Sequence, residues 1–168
     1  MHFILGSQSP RRGEILNYFN LPFKQISSDF DEASIPFQGD PQAYVQALAK
    51  GKGSSLLSQF LSSLILTADT IVYREGKVYG KPKNEEEAFS YLKELAGQWH
   101  SVWTGVHVTL QDQAFQAAEE TRVLFHLLTD EQIQAYHHAI PFMDKAGGYM
   151  IQGPGSLIVE IYRRDDYS

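Results

Sequence analysis

In the run from Leu64 to Tyr73, β-branched and apolar residues surround a single acid, Asp69. A carboxylate inside such a run is costly to bury unless it is paired, hydrogen-bonded or metal-bound, so a residue of this kind often marks an active site at a strand's end. The plain alternative is an edge turn. A second candidate is Gly6 to Arg12, a small-residue loop leading into a helix whose first turn carries Arg11 and Arg12. Exposed backbone N–H groups, the positive end of a helix and two guanidinium groups together suit a polyphosphate. Read blandly, Ser9 is a helix cap and the arginines are solvated. Asp29, Asp31 and Glu32 add carboxylates in a polar loop. Hard oxygen ligands there would suit magnesium or manganese, although such clusters are more often solvated surface. Lys81, held between Gly80 and Pro82, fits an ammonium reaching for phosphate as well as it fits an ordinary surface lysine. Two glycine-dense stretches, Asp144 to Gly148 and Gln152 to Gly155, are places where backbone can approach a ligand closely.

The elements that must position these groups are legible from spacing. Phe3 to Leu5 predicts a buried strand, and Ser9-Pro10 a capped helix with Ile15, Leu16 and Phe19 on one face. Phe23 to Ser27 reads as extended. Asp40-Pro41 opens a second helix, with Tyr44, Val45, Leu48, Leu56 and Phe60 along one side; Gly51 and Gly53 argue against its being unbroken. Leu64 to Tyr73 is an interior strand, turned by Glu75-Gly76 into a short return at Val78-Tyr79. Asn84 caps a third helix with Glu85, Glu86 and Glu87 in its first turn, and Gly97 closes it. A long alternating strand runs over His100 to Val108, and another strand over Arg122 to Leu128. Thr129 with Gln132 forms a capping box for a helix through Tyr136. Interleaved strands and helices give an α/β class with a mixed sheet. His100 is read as a strand residue and His137-His138 as surface.

Composition narrows the setting. A chain of 168 residues with 43% hydrophobic and 20% charged residues is read as a single globular domain over 1–168. Its net charge of -6 gives no general pull toward nucleic acid or anionic membranes, so an anion must be bound locally. The absence of Cys excludes a disulfide framework, a thiolate metal site and a cysteine nucleophile. Arg11 and Arg12 follow a short apolar stretch, the reverse of a signal peptide's order, and no uncharged apolar run approaches the roughly 20 residues of a membrane span. A cytoplasmic protein is expected. No HExxH, no Gly-x-Ser-x-Gly and no Walker phosphate loop occurs.

Together these segments resemble the Maf family of nucleoside triphosphate pyrophosphatases, also named for septum formation inhibition. The matching stretches are Ser7 to Arg12, Asp31-Glu32, Leu48-Ala49 with Lys52, Ala68-Asp69-Thr70, Gly80-Lys81-Pro82, Leu95 through Gly105, and Asp144 to Gly147 leading to Ile151-Gln152-Gly153. Each motif is weak alone, but their order and spacing hold from residue 3 to about 160. The resemblance implies an elongated α/β fold of the Maf/ITPase-like kind: a mixed sheet flanked by helices, a nucleotide cleft, and usually a dimer. It implies hydrolysis of a nucleoside triphosphate to the monophosphate and pyrophosphate with a divalent cation, Mg2+ or Mn2+.

Carried over position by position, Asp69 looks like the general base, with Glu32 as metal or water partner, so that Glu32 and Asp69 would hold the metal. Lys81 joins them as a catalytic candidate. Ser7, Arg11, Arg12 and Lys52, with Lys81, look like triphosphate-binding groups. Three positions resemble the branch acting on thymidine and uridine triphosphates. Arg11 stands where a branch preferring 7-methylguanosine triphosphate has tryptophan, Thr70 where it has glutamine, and Gln152 where it has glutamate. The alternatives are that other substrate and a nucleotide-binding regulator of cell division with little turnover. After Val159 the family usually continues through a glycine, an Asn-Val and a Gly-Leu-Pro segment into a last helix. This sequence has Tyr162 to Ser168 instead, so that the family's final segment is expected to be missing or replaced.

Overall fold

A computed structural model describes residues 2–164. Its strands are β1 (His2–Gly6), β2 (Lys24–Ile26), β3 (Ser63–Arg74), β4 (Lys77–Tyr79), β5 (Trp99–Leu110), β6 (Gln113–Phe125) and β7 (Val159–Arg164). The helices are α1 (Pro10–Asn17), α2 (Pro41–Leu57), α3 (Glu85–Leu95) and α4 (Asp130–Ala139). Strands hydrogen-bond in the order β2-β1-β3-β5-β6-β7, with β4 paired to β3. β1 is parallel to both β2 and β3, whereas β3–β4 and β6–β7 are antiparallel. The α/β class with a mixed sheet is therefore as the sequence pattern implies. Among the described residues no helix is long and apolar enough to cross a membrane.

The chain forms two compact units. The first takes the chain up to Asp69 together with Thr104–Glu119; the second takes Thr70–Trp103 and the chain from Glu120 on. In the first, β1 and the early half of β3 pair in register from His2↔Ser63 to Gly6↔Thr67. Ile4, Leu56 and Ile65 form its apolar cluster. The second has a much larger core, in which Val72, Leu92, Leu95, Val123, Phe125 and Ile133 are almost wholly buried.

The helix signals divide into those that hold and those that do not. Asn84 Oδ1 accepts from the Glu87 N–H, and Thr129 and Gln132 form both halves of a capping box, so the starts of α3 and α4 follow the sequence chemistry. Asp40 likewise caps α2, which runs unbroken through Gly51 and Gly53. Ser9, in contrast, makes no side-chain cap; its own N–H donates to Ser7 Oγ at 3.1 Å. Nor does α1 bury the expected face, since Ile15 is 46% and Phe19 68% exposed. The buried residue of α1 is Gly13, where a Cβ would lie 2.8 Å from Gln25 Oε1. Gln25 lies against that bare backbone and donates to the Ser7 and Ser9 carbonyls.

Other boundaries shift. β6 starts at Gln113, well before the expected Arg122, because Gln111-Asp112 makes a two-residue turn directly out of β5, with Gln111 at φ 54. β7 gave no clear signal in sequence. His137 is half-buried rather than superficial, its Nε2 lying 3.2 Å from the Gly148 carbonyl and its ring 4.1 Å from that of Phe142. The expectation of a missing or replaced family ending falls partly on residues 165–168, outside the described residues.

Candidate active site

The site is assembled by one contact between α2 and β3. Thr67 Oγ1 donates to the Ala49 carbonyl at 2.7 Å, tying the helix to the strand at a fixed level. One helical turn on from Ala49 stands Lys52, and two residues on from Thr67, on the same face of the strand, stands Asp69. The two meet, with Lys52 Nζ donating to Asp69 Oδ2 at 2.6 Å. Both side chains are largely buried, 15% and 12% exposed, so this pair is screened far less than a surface ion pair.

Glu32 completes the group from a loop. Its Oε1 lies 2.8 Å from the same Lys52 Nζ, so one ammonium bridges two carboxylates. The loop is strapped to α2 by two contacts, with one bond inside the loop supporting them. Ser28 and Ser55 hydroxyls lie 2.8 Å apart, the Phe30 N–H donates to Ser28 Oγ, and the Phe30 ring lies on Gly51, where a Cβ would come within 2.3 Å of the ring. Asp31 is spent locally, its Oδ1 accepting from the Ala33 N–H to start the 3₁₀ turn Glu32–Ser34. Of the three loop acids only Glu32 therefore reaches Asp69's lysine. The described residues contain no cluster of three or more metal-ligating side chains.

Arg12 reaches this group from α1. Its Nη1 donates to the Ala68 carbonyl at 2.8 Å and to Ser7 Oγ at 3.2 Å, which holds the loop after β1 against β3 next to Asp69. Burial pulls the Arg12 pKa down, and the charges of Asp69 and Glu32 oppose that pull while Arg11 adds to it. Ser7 is 7% exposed. Tyr44, which sequence reading placed only on a helix face, belongs to this neighbourhood: burial raises its phenol pKa, and Asp69 and Glu32 raise it further.

Ser7, Arg12, Glu32, Lys52 and Asp69 are thus brought together within the first unit, with Arg11 beside Arg12 on α1. Thr70, Lys81 and Gln152 belong to the second unit. Thr70 follows Asp69 on β3. Lys81 is exposed on the loop after β4, a loop pinned where the Gly147 N–H donates to the Gly80 carbonyl; its charge helps hold the Asp144 carboxyl low, after the larger effect of Lys145. Gln152 is exposed just ahead of the 3₁₀ turn Gly153–Ile158. A cavity of about 120 Å³ lined by Arg74, Trp99 and Arg122, and another of about 480 Å³ lined by Phe3, Phe23 and Phe60, contain none of these residues.

Sequence reading missed the strap. Ser28, Ser55, Phe30 and Gly51 carry no chemical signature of their own. Lys52 did carry one, since it sits on the stripe Val45, Leu48, Ala49, Leu56 that α2 buries. A lysine on a core face needs a carboxylate partner.

Residues 2–168 match the family model described as Maf-like protein. The chain belongs to the Maf family. A dTTP/UTP pyrophosphatase from Chlamydia felis is 46% identical over 157 residues, covering 93% of this chain and 80% of that protein. A dTTP/UTP pyrophosphatase from Clostridium novyi is 43% identical over 171 residues, 100% of this chain and 90% of its own length. A protein of Chlamydia muridarum named nucleoside triphosphate pyrophosphatase is 40% identical over 158 residues, covering 94% and 81%. The chain spans 80–90% of the length of these Maf relatives.

Proposed function

We propose that this Maf protein hydrolyses nucleoside triphosphates to the monophosphate and pyrophosphate, with dTTP and UTP as its substrates. The observation that carries the reading is the Glu32–Lys52–Asp69 group beside Arg12, with Lys52 and Asp69 largely buried and Glu32 at its exposed edge, in a chain 46% identical to a dTTP/UTP pyrophosphatase. In the reaction a water oxygen bonds to the α-phosphorus, the bond from that phosphorus to the α–β bridging oxygen breaks, and pyrophosphate leaves. Asp69 orients the water and takes its proton. Ser7, Arg11, Arg12 and Lys52 bind the triphosphate, with Lys81 as a further phosphate-binding and catalytic group, and the guanidinium and ammonium groups balance charge building on the departing pyrophosphate.

A divalent cation fits the donor set. Two carboxylates already converge on one positive centre, the Lys52 ammonium, and Mg2+ usually takes only one or two carboxylates, leaving its other positions to water and substrate phosphate. Glu32 and Asp69 would hold it. It would supply charge neutralisation at the phosphates.

For the base, Gln152 offers an amide donor and a carbonyl acceptor, as the edge of uracil or thymine requires, whereas an ionised glutamate only accepts. Arg11 would repel the cationic 7-methylguanine. The family match spans both units, which supports reading the chain as one Maf domain, and family likeness is also the ground for expecting a dimer. The test is pyrophosphate release across a panel of triphosphates with Mg2+ or Mn2+. dTTP and UTP should give the highest kcat/KM and chelator should abolish turnover. No pyrophosphate from any triphosphate would overturn the activity, and a preference for 7-methylguanosine triphosphate would overturn the specificity.

A further inference from the structure

Lys52 lies where the proposed metal would lie. Its Nζ is 2.6 Å from Asp69 Oδ2 and 2.8 Å from Glu32 Oε1, so it fills the gap between the two groups assigned to hold a divalent cation. Metal–carboxylate bonds are shorter still, about 2.0–2.1 Å for Mg2+. Both cations cannot occupy that gap. The rest of the site relieves the conflict less readily, because Arg12 is committed to Ser7 and Ala68, and the loop that carries Glu32 is held by the Ser28–Ser55 and Phe30–Gly51 strap. Lys52, on a four-carbon stem, is the member that can swing away.

We infer that Lys52 is an internal stand-in for the metal: it suppresses binding of the free divalent cation, and it yields its place only when a nucleotide's phosphates take the ammonium. The inference rests on the metal reading of Glu32 and Asp69 given above. Charge balance carries it further. In the nucleotide-free site the carboxylates of Glu32 and Asp69 are matched by Lys52 and Arg12. A divalent cation entering alone would leave the site strongly positive, and in a partly buried group that excess is weakly screened. A cation arriving on a triphosphate brings more negative than positive charge, and the phosphates give the displaced ammonium a new partner. Lys52 then contacts substrate rather than Asp69, and Asp69 regains the oxygen it needs to accept the water's proton. Metal and nucleotide therefore bind with positive coupling, each favouring the other.

The experiment titrates Mn2+ into the full chain by electron paramagnetic resonance, without nucleotide and then with a thymidine triphosphate analogue whose α–β bridge is methylene. The expected result is weak binding of Mn2+ alone to the wild type, binding at least about tenfold tighter to Lys52→Met and to Lys52→Gln, and wild-type weakness in Lys52→Arg, which keeps the charge. The analogue should tighten Mn2+ binding far more in the wild type than in Lys52→Met. Mn2+ affinity unchanged in folded Lys52→Met and Lys52→Gln, with the analogue still recruiting Mn2+ to the wild type, overturns the stand-in role and leaves the metal reading intact. Stoichiometric binding of Mn2+ alone to the wild type at micromolar concentration overturns it without any variant. If neither wild type nor variants bind Mn2+ even with the analogue, the metal reading itself fails and takes the inference with it.

Discussion

The second unit buries a neutral histidine inside an aromatic core, whereas the first buries charged groups, Lys52, Asp69 and Arg12, that face one another. His100, 3% exposed, shares a 2.8 Å hydrogen bond between its Nε2 and the Tyr149 hydroxyl, and the His100, Phe125 and Tyr149 rings pack edge to face. Burial drives the His100 pKa down to about 4 and the Tyr149 phenol up, so both stay uncharged. The first unit buries Lys52, Asp69 and Arg12 over a far smaller apolar cluster. Charges desolvated without a large core around them contribute little net stability, and breaking one partner is expensive. The contrast assigns stability to one region and chemistry to the other. It can be broken from either side.

The largest expected effect is on the charged side. Asp69→Asn keeps the shape of the side chain and an oxygen for Lys52, but it removes the group that accepts the water's proton. Turnover should fall roughly 10²- to 10⁴-fold while the nucleotide still binds. Pyrophosphate release and equilibrium binding of a methylene-bridged analogue check the two halves, and near-normal turnover would sink the base assignment.

How far the sequence exposes this division depends on whether a residue breaks its local pattern. Asp69 is visible because a lone carboxylate violates a β-run, and Asn84 and Thr129 are visible because caps act within one helical turn. Glu32 is legible in the sequence as one of three loop carboxylates, but only family likeness singles it out from Asp29 and Asp31, because what fixes it is nonlocal: Ser28 meets Ser55, and Phe30 meets Gly51. Gly51 looks like a helix weakness when read along the chain; against its neighbour it is the space a ring needs. The face of α1 is misread for the same reason, since its inward residue is a glycine and hydrophobic periodicity cannot weigh a missing side chain.

The neutral side of the comparison makes a pH prediction of intermediate size. His100 in the folded protein has a pKa near 4, below its ordinary 6.5, so the folded state excludes a proton that the unfolded chain accepts. Its contribution is therefore complete above pH 6.5 and is lost as pH falls from 6.5 toward 4. Across that whole window the loss amounts to about 3 kcal/mol. His107, buried in the first unit near Lys50, shifts the same way, so the wild-type slope alone does not isolate His100. His100→Gln keeps hydrogen-bonding capacity toward Tyr149 without titrating. Urea unfolding of wild type and variant should converge in slope above pH 7 and diverge below 6.5, the wild type losing stability faster; parallel curves would show that His100 is not held neutral.

The smallest effect probes how the charged group is held, and its value lies in the opposite signs of two readouts. Gly51→Ala places a Cβ within 2.3 Å of the Phe30 ring, so the ring must move away from α2. Alanine in mid-helix is favoured over glycine by about 1 kcal/mol, which opposes the cost of shifting the ring, so thermal stability should change little or rise. Glu32, two residues beyond Phe30, loses its fixed position against Lys52 all the same. Misplacement of a positioning group by an ångström can cost as much as roughly 100-fold, but Glu32's own side chain can follow part of the shift, so a fall of about tenfold in kcat/KM is expected. A merely structural role for Gly51 would lower stability and activity together. Phe30→Ala in the Gly51→Ala background returns the missing space and should recover part of the loss, with a coupling in the double-mutant cycle that two independent sites would not show. Full activity in Gly51→Ala would mean that the Phe30–Gly51 contact does not hold Glu32, leaving that task to the Ser28–Ser55 bond and the Lys52 ion pair itself.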